Sequence, residues 1–210
     1  MTGPIYAIAD AEALHPRPLP EAVAAMAESG IRCIQVRAKK LSGDELYNVL
    51  GGCLRRLEDS GVELWVDDRV DLAALFPVQG VHLGQADLPP AAARRWLNGG
   101  VRIGLSTHGE GQLAAADADP EVDVIAIGPV FPTTGKERPD PVLGLPFVGR
   151  ARARTAKELV AIGGIDAGNV AAVLAAGADA AAVLGAVCRG DVRANCRRLL
   201  AAASGECASS

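Results

Sequence analysis

The chain has 210 residues, half of them hydrophobic but only 3% aromatic, so a core of useful size must be built from Ala, Val, Leu and Ile. That composition suits a buried parallel sheet wrapped by Ala-rich helices. A net charge of -4 excludes a global pull toward nucleic acid or an anionic membrane surface, so any basic site must be local. In chain order, the pattern predicts a strand over 5–9, a helix over 20–29, a strand over 33–36 and a helix over 42–60. A strand over 63–66, a short helix and a strand over 80–83 come next. They are followed by a helix over 90–97, a strand over 102–105, a helix over 110–117 and a strand over 124–127. The remainder reads as a helix over 146–155, a strand over 159–162, a helix over 169–176, a strand over 180–183 and a last helix over 191–203. Ser42 with Glu45 three residues on is a capping box, Pro20, Pro90 and Pro146 mark first turns, and Gly30, Gly61 and Gly177 mark helix ends. Strands alternating with helices in this number predict a single α/β domain, a (β/α)8 TIM barrel over 1–203, with 204–210 as a flexible tail. An open doubly wound sheet is the alternative, but it rarely needs so many strands.

Polar residues gather just after the predicted strands, the end of a parallel barrel at which ligands bind. The segment 64–89, LWVDDRVDLAALFPVQGVHLGQADLP, runs strand, short helix, strand, and each strand leads into a carboxylate-bearing loop. Asp68 and Asp87 would converge there from consecutive strands. Two carboxylates with room for water suit a hard Mg2+ ion carrying a phosphate. After the second strand, Gln35, Arg37 and Lys39 alternate so as to point the same way, an amide and two cations aimed at one ligand. A salt-bridged strand end is the plainer reading, but inward charges in a small barrel are costly unless they bind something.

Ser106, Thr107 and His108 follow the fifth strand, where turn capping and catalysis stay equally open. With no GxSxG elbow, a hydrolase nucleophile is not expected. The loop from Gly128 to Asp140 offers Thr133, Thr134 and Lys136 in a Pro/Gly frame, the parts of a phosphate-binding lid or of a solvated loop. Gly163 and Gly164 follow the seventh strand, and Leu184 and Gly185 the eighth. Those two loops commonly cradle phosphate through backbone N–H groups, with simple tight turns as the alternative. His82, inside the fourth strand, reads as a hydrogen-bonded interior residue rather than a base.

The five cysteines (Cys33, Cys53, Cys188, Cys196 and Cys207) are odd in number and form no CxxC pair. This argues against a disulfide framework or a zinc site and for a reducing compartment. The N-terminus lacks a basic-then-apolar leader, and no apolar run reaches the roughly 18 residues of a membrane span. The expectation is a cytoplasmic protein without nucleic-acid or membrane partners. Oligomeric state is left open, although small barrels often pair through helix faces.

Read together, these segments resemble the thiamine-phosphate synthase family, within a superfamily shared with thiazole tautomerases. The matching blocks are IQVRAK (34–39), VDDRVDLA (66–73), GVHLGQADLP (80–89), IGLSTH (103–108), IAIGPVFPTTGK (125–136), VAIGGI (160–165) and GADAAAVLGAV (177–187). The resemblance covers nearly the whole chain. GVHLGQADLP together with GPVFPT and the QxRxK spacing is specific, whereas IGGI alone is widespread in phosphate-binding barrels.

The resemblance implies a TIM barrel that joins an aminopyrimidine diphosphate to a carboxylated thiazole phosphate and releases diphosphate. It implies that Asp68 and Asp87 hold Mg2+, and that Gln35, Arg37, Lys39, Asp67, Ser106 and Lys136 contact the pyrimidine diphosphate. Thr133, Thr134 and Gly135 would contact the thiazole phosphate, and Gly164, Leu184 and Gly185 would seat its phosphate. Arg37, Ser106 and Lys136 are the catalytic candidates. Three positions depart from the family's usual pattern: Asp67 stands for Asn, Gly135 for the second Thr of T-x-T-K, and Gly185 for Ser. Each lost hydrogen bond costs on the order of 1 to 3 kcal/mol if nothing replaces it. The tautomerase branch is the nearest rival, but it tends to carry His in the GPVF segment, where this chain has Pro129. A non-catalytic phosphate-ligand binding protein is the other alternative, and the intact Asp68, Asp87, Arg37 and Lys136 speak against it.

Overall fold

The computed structural model describes residues 1–133 and 140–205. Its parallel strands close into a barrel in sequence order: β1 (Ile5–Asp10), β2 (Cys33–Arg37), β3 (Glu63–Asp67), β4 (Gly80–Leu83), β5 (Arg102–Thr107), β6 (Val124–Ile127), β7 (Glu158–Ile162) and β8 (Ala180–Val183). β1 pairs with both β2 and β8, which completes the closure. Around the barrel lie α1 (Ala11–Leu14), α2 (Leu19–Glu28), α3 (Gly43–Leu57), α4 (Val70–Leu75), α5 (Pro90–Arg94), α6 (Glu110–Ala118), α7 (Leu145–Arg152), α8 (Val170–Ala175), α9 (Gly185–Cys188) and α10 (Val192–Ser204). The expected (β/α)8 architecture is therefore present.

Strand periodicity sorts the apolar residues into two cores. Outward residues such as Ala7, Ile34, Val66, Ile103 and Ile125 pack under the helices. Inward residues such as Tyr6, Ile8, Cys33, Trp65, Val124 and Val160 fill the barrel. A chain with few aromatics places two of its largest inside the barrel, and glycines opposite make the room. A Cβ at Gly80 would lie 2.4 Å from the Trp65 ring. Truncating an aromatic so fully enclosed costs about 3–5 kcal/mol.

The floor of the barrel carries a matched set of charges. Arg102 donates to Glu158 Oε2 at 3.0 Å and to Glu63, and its guanidinium lies 5.0 Å from the centroid of Trp65. The helix punctuation is as expected except at Gly61, which lies beyond the end of α3 at Leu57 rather than capping it. The Ser42 N–H donates to Glu45 Oε2 at 2.8 Å, and Gly30, Gly61 and Gly177 take left-handed φ values of 100°, 68° and 110°. Cys33, Cys53, Cys188 and Cys196 are buried free thiols, and Cys207 lies outside the described residues.

Several predicted boundaries need correction. α3 stops at Leu57 rather than Ser60, and α5 at Arg94 rather than Leu97. α1 and α9, four residues each, were not predicted because one turn carries no periodicity. Strands β1, β2, β3 and β5 run one or two residues further than expected, to Asp10, Arg37, Asp67 and Thr107. Among the described residues no helix is long and apolar enough to cross a membrane.

Candidate active site

The extra strand residues are the beginning of the site. The ladders set Asp10 opposite Arg37 and Asp67 opposite His82, so polar side chains from adjacent strands meet at the C-terminal mouth. Asp10 is 4% exposed, accepts from Ala13 N at 2.9 Å as the cap of α1, and accepts from Arg37 Nη1 through its other oxygen. Arg37 Nε lies 3.6 Å from Asp67 Oδ2. β2 ends at Arg37, so strand alternation does not carry Lys39 as the sequence suggested. Lys39 nevertheless reaches the same cluster, 3.3 Å from Asp67 Oδ2 and in direct contact with Asp68 Oδ2.

Asp68 has a left-handed backbone, φ 57°, which Asp tolerates better than most residues. Its N–H extends the ladder by bonding His82 O at 2.9 Å, and the turn then brings its carboxylate beside that of Asp87. Asp87 is itself fixed, accepting from Gly84 N at 2.7 Å. Burial raises the Asp68 carboxyl above its ordinary value; Lys39 opposes the shift and Asp87 adds to it. Burial, reinforced by Asp68 and opposed by Lys39 and Arg37, pushes Asp67 up to about 6. Burial alone would lower the Lys39 ammonium, but its bond to Asp68 and the charge of Asp67 outweigh that and raise it.

Next to these carboxylates, Ser106 Oγ is hydrogen-bonded to His82 Nε2 at 2.8 Å, and Ser106 O accepts from Gln85 Nε2 at 2.7 Å. His82 is thus the bonded interior residue expected, pushed down to about 4 by burial and therefore neutral. Gln35 is 3% exposed and bonded at both ends of its amide, to Tyr6 and to Asp67.

The other side of the mouth is built from backbone. Val130 N donates to Ile162 O at 2.9 Å and Phe131 N to Gly163 O at 3.0 Å, so the loop after β6 begins by running along the end of β7. Gly164, at φ 64°, permits that approach, since a Cβ there would lie 2.6 Å from Pro132 O. Thr133 continues this segment. Leu184 is the N-cap of α9, whose first turn starts at Gly185. His108 answers the open question at the fifth strand. Its Nδ1 lies 2.7 Å from Gly128 O and 3.6 Å from Asp140 Oδ2, so it ties together the two ends of the loop after β6.

The structure therefore gathers Gln35, Arg37, Lys39, Asp67, Asp68, Asp87 and Ser106 at one mouth, with Thr133, Gly164, Leu184 and Gly185 on the loops after β6, β7 and β8. Thr134, Gly135 and Lys136 lie outside the described residues. Sequence reasoning missed Asp10, Tyr6 and Gln85. Asp10 could have been found, because IYAIAD ends on a carboxylate after an apolar run as LWVDD does.

A family model described as thiamine monophosphate synthase matches residues 5–187. A thiamine-phosphate synthase of Methanoculleus marisnigri is 42% identical over 186 residues, covering 86% of this chain and 87% of that protein. One of Koribacter versatilis is 40% identical over 184 residues, covering 86% of each. The solved structure of thiamine phosphate pyrophosphorylase from Pyrococcus furiosus superposes with a TM-score of 0.86 at 30% identity, covering 97% of this chain and 96% of that one. The chain belongs to the thiamine monophosphate synthase family.

Proposed function

We propose that the barrel mouth forms thiamine phosphate by joining an aminopyrimidine diphosphate to a (carboxy)thiazole phosphate with release of diphosphate. The observation that carries this reading is the meeting of two carboxylates, Asp68 and Asp87, beside two cations, Lys39 in contact with Asp68 and Arg37 held by Asp10 and close to Asp67. Breaking the C–O bond to diphosphate leaves a carbocation on the pyrimidine methylene and concentrates negative charge on the leaving group. Arg37 and Lys39, with Lys136, are suited to hold that charge, which is electrostatic catalysis requiring no side-chain nucleophile. The thiazole nitrogen then attacks the cation, so holding two phosphorylated substrates in line supplies most of the remaining rate.

The residues fit Mg2+. Two like-charged carboxylates are turned toward each other and Asp68 is held above its ordinary value, a cost that a divalent cation removes. Among the described residues no group of three or more His, Cys, Asp or Glu is poised around a metal. A site of two protein carboxylates, completed by water and phosphate oxygens, matches Mg2+ better than zinc or calcium. Bound between Asp68, Asp87 and the diphosphate, Mg2+ would supply Lewis-acid neutralisation of the leaving group.

Ser106, held by His82, would position the pyrimidine diphosphate with Gln35 and Asp67. Thr133, Thr134 and Gly135 would receive the thiazole, and Gly164, Leu184 and Gly185 its phosphate, through backbone N–H groups. The test is formation of thiamine phosphate from the two substrates with Mg2+, beside an Asp68→Ala control. Product that disappears without Mg2+ and in the control is expected. Folded protein that yields none would overturn the reading.

A further inference from the structure

Tyr6 has no part in the reading above, yet its hydroxyl belongs to a hydrogen-bond chain that reaches the mouth. The residue is 1% exposed, and its ring packs edge-on against Trp65 with centroids 5.8 Å apart and planes at 63°. The Tyr6 O–H donates to Gln35 Oε1 at 2.8 Å, and Gln35 Nε2 donates to Asp67 Oδ1 at 2.8 Å. Strand register gives this chain a direction. Tyr6 lies opposite Cys33, on the floor side of Gln35, whereas Asp67 follows Trp65, which is level with Gln35. The amide oxygen of Gln35 is therefore bonded on the floor side and its nitrogen on the mouth side.

A glutamine amide can turn over, exchanging oxygen and nitrogen, unless its neighbours distinguish the two ends. Both neighbours do so here. Asp67 Oδ1 accepts from Gln35 Nε2 and the Tyr6 O–H donates to Gln35 Oε1, so turning over would set oxygen against oxygen at Asp67 and deprive the Tyr6 proton of its acceptor. Inside a barrel either loss leaves a buried polar group unsatisfied. Burial holds the Tyr6 phenol well above its ordinary range, so it stays a donor.

We propose that Tyr6 and Asp67 lock the Gln35 amide in a single orientation, which makes Tyr6 a positioning residue that decides which edge of the pyrimidine Gln35 can meet. One hydrogen of Nε2 is taken by Asp67, and the other remains for a ligand. The ring edge facing Gln35 must then offer a lone pair, as a pyrimidine nitrogen does; an N–H presented there would meet a second donor. This inference rests on the pyrimidine diphosphate being the substrate.

Tyr6→Phe removes one oxygen and leaves the ring. The KM for the pyrimidine diphosphate should rise about tenfold, equivalent to about 1.4 kcal/mol, with the KM for the thiazole phosphate changed by less than about twofold. In a Gln35→Ala background the same substitution should add nothing, because the group through which Tyr6 acts is gone. A rise shared by both substrates, or one that persists on the Gln35→Ala background, would show that Tyr6 acts by packing and overturn the proposal. A ligand-free readout separates this from the reaction itself. In nitrogen-resolved NMR spectra, the Gln35 side-chain amide should be shifted and slow to exchange, and its resonances should move in Tyr6→Phe as Oε1 loses its donor while Asp67 keeps Nε2. If the wild type forms no thiamine phosphate, the assigned reaction fails while these spectra still decide the orientation. An unshifted, freely exchanging Gln35 amide in the wild type would overturn the lock.

Discussion

The two ends of this barrel carry charged clusters of similar make-up and opposite character. On the floor, Arg102 sits between Glu63 and Glu158 and stacks on Trp65, and every charge has its partner. At the mouth, His82 Nδ1 is buried without a hydrogen bond, Asp67 Oδ2 has ionic contacts to Lys39 and Arg37 but no hydrogen bond, Asp68 sits in a left-handed backbone, and two carboxylates face each other. Folding alone favours the first arrangement. A cluster that stays mismatched after folding is the signature of a site whose remaining partners arrive with the ligand. The floor should therefore answer to stability and the mouth to activity.

Mutations at each end test that contrast. The largest effect is expected for Asp68→Asn, which keeps a residue that tolerates the left-handed backbone and should lower kcat/KM for thiamine phosphate formation about a hundred- to thousandfold while leaving the melting temperature unchanged or higher. Steady-state kinetics and thermal unfolding on one preparation would check both halves.

His82 gives a pH test of the mouth. Burial holds it at about 4, while in the unfolded chain it titrates near 6.5. As pH falls through that window the unfolded chain takes up a proton that the folded protein refuses, so stability is lost toward acid, by about 3 kcal/mol in all. Denaturant unfolding of wild type and His82→Asn between pH 6.5 and 4 should show the difference moving in favour of the variant by roughly that amount.

On the floor, Arg102→Met should cost about 2 kcal/mol of stability by leaving Glu63 without its cation while Glu158 keeps the Met1 ammonium, tempered by contact with water. The kcat/KM of the folded fraction should not change; a loss there would erase the division between the two ends. The smallest effect concerns the phosphate seat. A Cβ at Gly185 would meet only the Arg189 guanidinium, at 3.8 Å, so Gly185→Ser should fit without strain. Its hydroxyl should lower the KM for the thiazole phosphate severalfold, about 1 kcal/mol.

The sequence spoke more clearly about the barrel than about its mouth, for a physical reason. Inward and outward apolar residues make strand cores legible, and β4, β6 and β8 have the bounds expected from them. The residues at which β1, β2, β3 and β5 were cut short are Asp10, Arg37, Asp67, Ser106 and Thr107. Polar side chains interrupt an apolar run and read as loop. In the structure the ladder to the next strand keeps them in the sheet, and that regular backbone is what aims them at one point. Asp68 and Asp87 were legible because each follows its strand in a recognisable block. Tyr6 was not, because a tyrosine in an apolar strand signals core, and its hydroxyl acts only through Gln35 on the neighbouring strand.

The most direct test of the contrast between the two ends needs no turnover. Thermal unfolding of the wild type and of Asp68→Asn would be followed with Mg2+ alone, inorganic diphosphate alone, and both together. The wild type should gain a clear rise in melting temperature only with both, since a ligand that binds the folded state raises its stability. Asp68→Asn should begin at least as stable as the wild type and show no such rise. An equal rise in both proteins, or a variant that is markedly less stable before any ligand is added, would contradict the account.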